Sequence, residues 1–144
     1  MLGTMNSKVN TFEIPPAVLV RTLREAQRAV AVAGRLDRPV LLLTEPGAQA
    51  WHGPAYLLEM MRGAGAAMAL IDCGRDAGTA MLALRLGWRH LHLQGTPDIV
   101  ARVAAMASAC GTRFHAGLPQ ALDLAAAWPV DEALEAWLAA HRPN

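Results

Sequence analysis

The sequence predicts a single α/β domain built on a mostly parallel sheet. Two short apolar runs, Val40–Leu43 and Met68–Asp72, are typical of strands that are buried on both faces. Arg89–Gln94 alternates, with His90, His92 and Gln94 on one side and leucines on the other. With a short run at Arg113–His115, the strands start at residues 40, 68, 89 and 113. This spacing suits successive strand–helix units with right-handed crossovers.

Helical patterns lie between these strands. Pro15-Pro16 is interpreted as the start of a first helix that ends at Gly34, and its apolar stripe steps by three and four residues: Leu19, Leu23, Ala26, Val30 and Ala33. Further helices are expected from Pro54 to Arg62, from about Asp76 to Gly87, from Thr96 to Gly111, and from Asp131 onwards. Gln120–Trp128 has no clear pattern.

The 144 residues suit one domain over 11–144, preceded by a polar tail over 1–10 that is predicted to be disordered. Val9–Ile14 is a candidate fifth strand at the edge of the sheet. The strand spacing also resembles half of a (βα)₈ barrel. We therefore expect four or five mostly parallel strands with helices on both faces, in a flavodoxin-like or half-barrel-like open sheet. Since no family signature is matched residue by residue, no functional residues are carried over.

Composition excludes several classes of function. The net charge of +1 gives no electrostatic footprint for nucleic acid, and no apolar run reaches the ~18 residues of a membrane span. Two cysteines do not form a disulfide framework, so a cytoplasmic location is predicted. The apolar fraction is 53% and the charged fraction only 17%, which favours a surface partly covered by a second copy, as in a homodimer.

Candidate site residues follow from the rule that open parallel sheets bind ligands beyond the carboxyl ends of their strands. They are Thr44, Glu45, Asp72, Cys73, Gly74, Arg75, His92, Gln94 and His115. The turn after Asp72 enters a helix and carries Arg75, so it is a candidate site for a small anionic ligand. It lacks both the dinucleotide-binding glycine pattern and the P-loop pattern.

Two interpretations of Cys73 stay open. Its place before a helix and beside Arg75 predicts a lowered thiol pKa, and with His92 or His115 as base it would form a nucleophilic pair. The alternative is a buried structural cysteine, as we expect for Cys110 on the apolar stripe of a helix. Asp72 is likewise a candidate general base, a metal ligand, or a carboxylate that caps the next helix or forms the turn.

No metal or cofactor is predicted. The four histidines that would have to converge are His52, His90, His92 and His115. They lack the usual ligand spacings. Trp51, in a loop, would either roof the site or anchor a dimer.

The function expected from these observations is a non-catalytic module that binds a small molecule or a protein and self-associates. The alternative is a small enzyme, a lyase, isomerase or hydrolase acting on an anionic metabolite. In that case Asp72 would be the base, Cys73 the alternative nucleophile, Arg75 the anion anchor and His92 the acid.

Overall fold

The computed structural model of the chain describes residues 14–140, and within that range there are six strands and six helices. The strands are β1 (Ala17–Val20), β2 (Leu41–Thr44), β3 (Ala69–Asp72), β4 (His90–His92), β5 (Arg113–His115) and β6 (Ala121–Asp123). The helices are α1 (Leu23–Arg35), α2 (Ala48–Trp51), α3 (Gly53–Gly63), α4 (Ala77–Leu86), α5 (Pro97–Ala109) and α6 (Val130–Ala140). In this part of the chain no helix is both long and apolar enough to cross a membrane.

The strands form one sheet in the order β5-β4-β3-β2-β1-β6, and every neighbouring pair is parallel. The predicted fold class, an α/β domain with a parallel sheet flanked by helices, is confirmed. The four runs read from the sequence correspond to β2–β5. The predicted tail over residues 1–10 lies outside the described residues, as does most of the candidate edge strand, of which only Ile14 is described.

The described part of the chain has six strands, and the two that the sequence patterns did not predict were missed for different reasons. The helix predicted to open at Pro15-Pro16 is wrong, because the following residues form β1 and α1 begins only at Leu23. The apolar stripe assigned to that helix thus combined strand and helix residues. The start of α1 has the hydrogen bonds of a capping box. The Thr22 hydroxyl accepts a hydrogen bond from the N–H of Glu25, and the Glu25 carboxylate accepts one from the N–H of Arg21.

The second missed strand, β6, has only three residues and pairs with β1. Three residues are too few to show a periodicity in the sequence. Its partner strand β1 lies about a hundred positions earlier in the chain, so no turn sequence between adjacent strands indicates the pairing.

The helices contribute their buried side chains to one core, on one face of the sheet. That core joins helix residues to Val18, Leu42, Ile71 and Leu91 of the strands. The core on the opposite face consists of strand residues alone, Ala17, Leu41, Leu43 and Leu70, within the described part of the chain. This distribution differs from the prediction of helices on both faces. From β1 to β5, each strand lies next to the one before it, and the sheet grows in one direction. Right-handed crossovers between such strands place all the connecting helices on the same face of the sheet.

The helix-free face, called the inner face below, is nevertheless buried: Leu41 is 1% exposed and Leu70 is 0% exposed. The short connection between β5 and β6 explains this. Only residues 116–120 join these strands, which lie at opposite edges of the sheet. Such a connection spans at most roughly 20 Å. A flat sheet would separate the edges by about 24 Å, even before the chain returns to the amino end of β6. The sheet must therefore curl around the inner face, as the half-barrel-like alternative implies.

Candidate functional site

The inner face carries a row of polar residues at the carboxyl ends of the strands. The register pairs Asp72 with His92, and His92 with His115, on adjacent strands. Extending the registers between β1, β2 and β3 places Glu45 beside Asp72 and Arg21 beside Glu45. These five residues are called the polar layer below. Because parallel strands end at one edge, the topology brings together side chains that are far apart in the sequence.

One half of the polar layer is saturated with ion pairs. Arg21 Nη1 and Nη2 donate to the two carboxylate oxygens of Asp123 at 2.5 and 3.1 Å, and Arg21 Nε lies 2.8 Å from Glu45 Oε2. The hydrogen bond to Asp123 raises the pKa of Arg21, and the same bond lowers the pKa of Asp123. The guanidinium thus joins β1 to β2 and β6. Arg21 and Asp123 were not among the predicted site residues, since β1 and β6 were not recognised as strands.

The other half of the polar layer contains an unsatisfied histidine. His92 is only 2% exposed, and its Nδ1 lies 2.8 Å from the backbone carbonyl oxygen of His115. A carbonyl only accepts, so Nδ1 of His92 carries the proton and donates. In the neutral form of the ring, the lone pair is therefore on Nε2. Nε2 is buried and has no hydrogen-bond partner among the described residues.

His115 and His90 form a buried pair beside His92. His90 Nδ1 lies 3.0 Å from His115 Nε2, so the two rings share one hydrogen bond. Burial, with Arg113 as a secondary cause, lowers the pKa of His90. Burial together with the nearby charges of His90, Arg113 and His92 lowers the pKa of His115 to about 4. Both rings are therefore neutral at pH 7, which suits a position on the inner face.

Asp72 lies on the inner face next to His92 and is 7% exposed. Its Oδ1 accepts from the N–H of Gly74 at 2.9 Å, so it shapes the turn after β3. Within residues 14–140 its other carboxylate oxygen has no further hydrogen bond. The cap of α4 is instead Asp76, which accepts from the N–H and hydroxyl of Thr79, and these bonds lower its pKa. Asp72 is thus free of the capping role considered for it.

Gln49 on α2 is a site residue that the sequence did not reveal. Its Nε2 lies 3.1 Å from where a Cβ on Gly74 would stand, so its amide rests on the turn after β3. Its Oε1 is buried and has no hydrogen-bond partner in the described range. Gly74 has φ +59°, and the absence of a side chain there lets the amide approach. Two unsatisfied polar atoms thus flank Asp72, one on α2 and one on β4.

Cys73 points away from this group, into the helix-covered core, and is 0% exposed. Burial, with Asp72 and Asp76 as further causes, raises its pKa to about 12. The predicted lowering of the Cys73 pKa is therefore wrong, since the desolvation of a thiolate outweighs the helix terminus. The expectation for Cys110 is also wrong, because that residue is exposed at the end of α5.

The remaining predicted residues have structural or peripheral positions. Thr44 is 1% exposed, and its hydroxyl accepts from the backbone N–H of Asp72 at 3.0 Å, so it supports β3. Arg75 and Gln94 are exposed. The backbone N–H of Gln94 donates to the carbonyl of Gly74. Of the predicted set, the structure therefore brings together Glu45, Asp72, His92 and His115 on the inner face, around the turn at Gly74.

Two further features lie apart from this group. Across residues 14–140 no three His, Cys, Asp or Glu side chains are placed to hold a metal ion. A surface pocket of about 220 Å³ lies beside the start of α1, and its lining residues are Thr22, Arg24, Glu25, Arg28, Leu124 and Val130. No predicted site residue lines this pocket.

A comparison of the sequence with protein-family models and with curated proteins finds no match. The function must therefore be argued from the chemistry of the inner face.

Proposed function

We propose that the chain is a small-molecule-binding domain whose ligand reaches the carboxyl end of the inner face and donates a hydrogen bond to Nε2 of His92. The observation that carries the proposal is the buried and unpartnered Nε2. Leaving such an atom unsatisfied costs about 1–3 kcal/mol. An apolar residue at this position would avoid this cost. A ligand that donates a hydrogen bond to Nε2 explains why a histidine is present instead.

The surroundings of His92 support the proposal. The carbonyl of His115 orients the ring and fixes its tautomer, which is how binding sites prepare an imidazole. Leu43 and Leu70 lie one step below the polar layer on the inner face and form an apolar floor. Binding sites commonly combine such an apolar lining with a few polar groups that fix the orientation of the ligand.

Nuclear magnetic resonance of ¹⁵N-histidine-labelled protein tests the proposal. The free protein at pH 7 is expected to show a protonated Nδ1 and an unprotonated Nε2 for His92. Millimolar titrations with propylammonium, propionamide, 1-propanol and propionate are expected to shift the Nε2 resonance saturably for at least one probe. His52, exposed and stacked on Tyr56 at 4.8 Å, is the internal reference.

The control is His92→Phe, which keeps a planar ring and removes both nitrogens. It is expected to abolish saturable binding, as followed on the probe resonances. If none of the four probes shifts Nε2 of His92, or if His92→Phe binds them equally well, the proposal is wrong.

Catalysis is the second candidate, and the same tautomer supports it. An unprotonated Nε2 beside Asp72 suits a general base, rather than the acid role expected from the sequence. The two candidates differ in what happens to the ligand. A binding domain returns each probe unchanged over hours at 25 °C, whereas an enzyme converts its substrate, and the ligand's own resonances show the difference.

Self-association remains part of the proposal and is supported by two exposed tryptophans. Trp51 is 85% exposed and Trp128 is 86% exposed, and they follow the carboxyl ends of β2 and β6. Tryptophan is enriched in protein interfaces. Sedimentation at micromolar concentration is expected to show a dimer that Trp51→Ser or Trp128→Ser weakens; a monomer at all concentrations would refute this part.

A further inference from the structure

We infer that the group recognised by this site is a cationic amine or guanidinium, held jointly by His92 and Asp72. The inference rests on the proposed function and specifies the chemical class of its ligand. It differs from the anionic ligand expected from the sequence. Three features of the polar layer carry it: the hydrogen-bonding capacity of the two side chains, their spacing, and the location of the arginines.

Both side chains offer only acceptors. In the neutral form of the His92 ring, Nε2 carries the lone pair because Nδ1 donates to the carbonyl of His115. An ionised aspartate accepts and never donates, and one oxygen of Asp72 is not engaged by the turn. A carboxylate or phosphate placed between them would bring lone pairs against lone pairs. An ammonium group has three hydrogens and can satisfy both residues at once.

The spacing of the two residues fits a single small group. Asp72 and His92 are in register on adjacent parallel strands, and both lie on the inner face. Adjacent strands are about 4.7–4.9 Å apart. The two side chains therefore start about 4.7–4.9 Å apart, a separation that one nitrogen can bridge with two hydrogen bonds of ordinary length. The guanidinium of an arginine-like ligand would span the same two acceptors with its fork of N–H groups.

Within residues 14–140, no anion site between Asp72 and His92 is provided by Arg21, Arg75 or Arg113. The guanidinium of Arg21 donates to Asp123 and Glu45 at the other half of the polar layer. Arg75, the expected anchor, is exposed on the turn beyond β3. Arg113 is exposed on the edge strand, two positions before His115. The charge in register with His92 on an adjacent strand is the carboxylate of Asp72.

Gln49 adapts to either class of ligand. Its amide has an acceptor and two donors, and rotation of the terminal bond exchanges them. It rests on the turn at Gly74 next to Asp72 and can complete the contacts of a bound group. The discrimination between cations and anions is thus assigned to Asp72 and His92.

The test compares the affinities of three probes of the same size, propylammonium, propionamide and propionate. The dissociation constant of each probe is obtained from the change in the His92 Nε2 resonance during a titration. Propylammonium is expected to bind at least about tenfold more tightly than propionamide, because charge-assisted hydrogen bonds are roughly twice as strong as neutral ones. Propionate is expected to show no saturable shift. Asp72→Asn, which keeps an acceptor for the N–H of Gly74, should weaken propylammonium binding about tenfold and change propionamide binding less than about threefold.

The matched control is Glu59→Gln, which removes the same charge from an exposed carboxylate on α3 that pairs with Arg62, and it should change propylammonium binding less than about threefold. Thermal unfolding of each variant verifies that it folds. Saturable binding of propionate or propionamide in preference to propylammonium would overturn the inference while leaving the proposed function intact. Equal losses in Asp72→Asn and Glu59→Gln would show that net charge alone causes the effect and would also overturn the inference. If none of the probes shifts Nε2 of His92, the proposed function itself fails.

Discussion

The two faces of the sheet are buried to a similar degree by different means, and they differ in chemistry. Asp72 and Cys73 show this most directly, since they are consecutive in the chain and both buried, on opposite faces. The helix-covered face is apolar along the strands except at Thr44, whose hydroxyl accepts from the N–H of Asp72. The inner face is apolar at its amino end, at Leu41, and polar at its carboxyl end, at His92. The helices cover one face along its length, whereas the curled sheet gathers polar groups at one end of the other face, where the proposed ligand would bind.

The largest expected effect concerns the exclusion of water from the helix-covered face. With a pKa of about 12, Cys73 has on the order of a thousandfold less thiolate at neutral pH than an ordinary thiol, and burial slows its reaction further. Ellman's reagent should therefore label Cys110 quickly and Cys73 only after unfolding. Cys110→Ser isolates the buried thiol. Rapid labelling of the folded Cys110→Ser variant would show that the helix-covered face is open to solvent, which would contradict the difference drawn between the two faces.

The next effect concerns the burial of the inner face. Leu70 on the inner face and Leu42 on the helix-covered face are both 0% exposed. Leu70→Ala and Leu42→Ala are each expected to lower the free energy of unfolding by about 2–5 kcal/mol, since each leaves a cavity in a packed core. Urea denaturation measures both. A loss below about 1 kcal/mol for Leu70→Ala, beside a large loss for Leu42→Ala, would contradict the curl of the sheet.

The smallest effect concerns pH, which should act on the buried histidine pair of the inner face. The folded protein lowers the pKa of His115 to about 4 and also lowers that of His90, so both stay neutral while the unfolded chain takes up protons below about pH 6.5. The stability is complete above that pH and is lost as the pH falls towards 4, by about 1–3 kcal/mol. The loss of stability is measured from the midpoints of urea denaturation at several pH values between 7 and 4.

Two variants sharpen the pH experiment. His115→Phe removes one titrating ring from the buried pair, so its stability should change less with pH than that of the original protein. His52→Ala removes an exposed histidine and should leave the slope unchanged. An equal slope in His115→Phe would show that the inner-face histidines do not cause the effect.

Sequence patterns predicted the features that follow from short-range geometry. The alternation in β4 placed His90 and His92 on one face and Leu91 on the other, and the cores confirm it. Thr96 caps α5, and Gly87, with φ +98°, ends α4, as the residue types predicted. These features depend on local backbone chemistry, so the sequence reveals them.

The site was predicted only in part, because its missing members depend on long-range contacts. Asp72 and His92 were found as strand ends. Arg21 was missed because β1 was assigned to a helix, although the capping box at Thr22 indicated where α1 begins. Nothing in the sequence around Gln49 indicates that it rests on Gly74, since that contact joins two separate strand ends.

The sequence by itself determined the fold class, the four strands β2–β5 and the polar ends that they share, because local periodicity and turn chemistry dictate these features. The tertiary structure decided which face each polar residue occupies and which residues it meets. It put the Cys73 thiol in a dry core and left Nε2 of His92 without a partner. The physical reason is that solvation and hydrogen-bond satisfaction depend on neighbours brought together by the curl of the sheet and its one-sided helix layer, and no short stretch of sequence contains them.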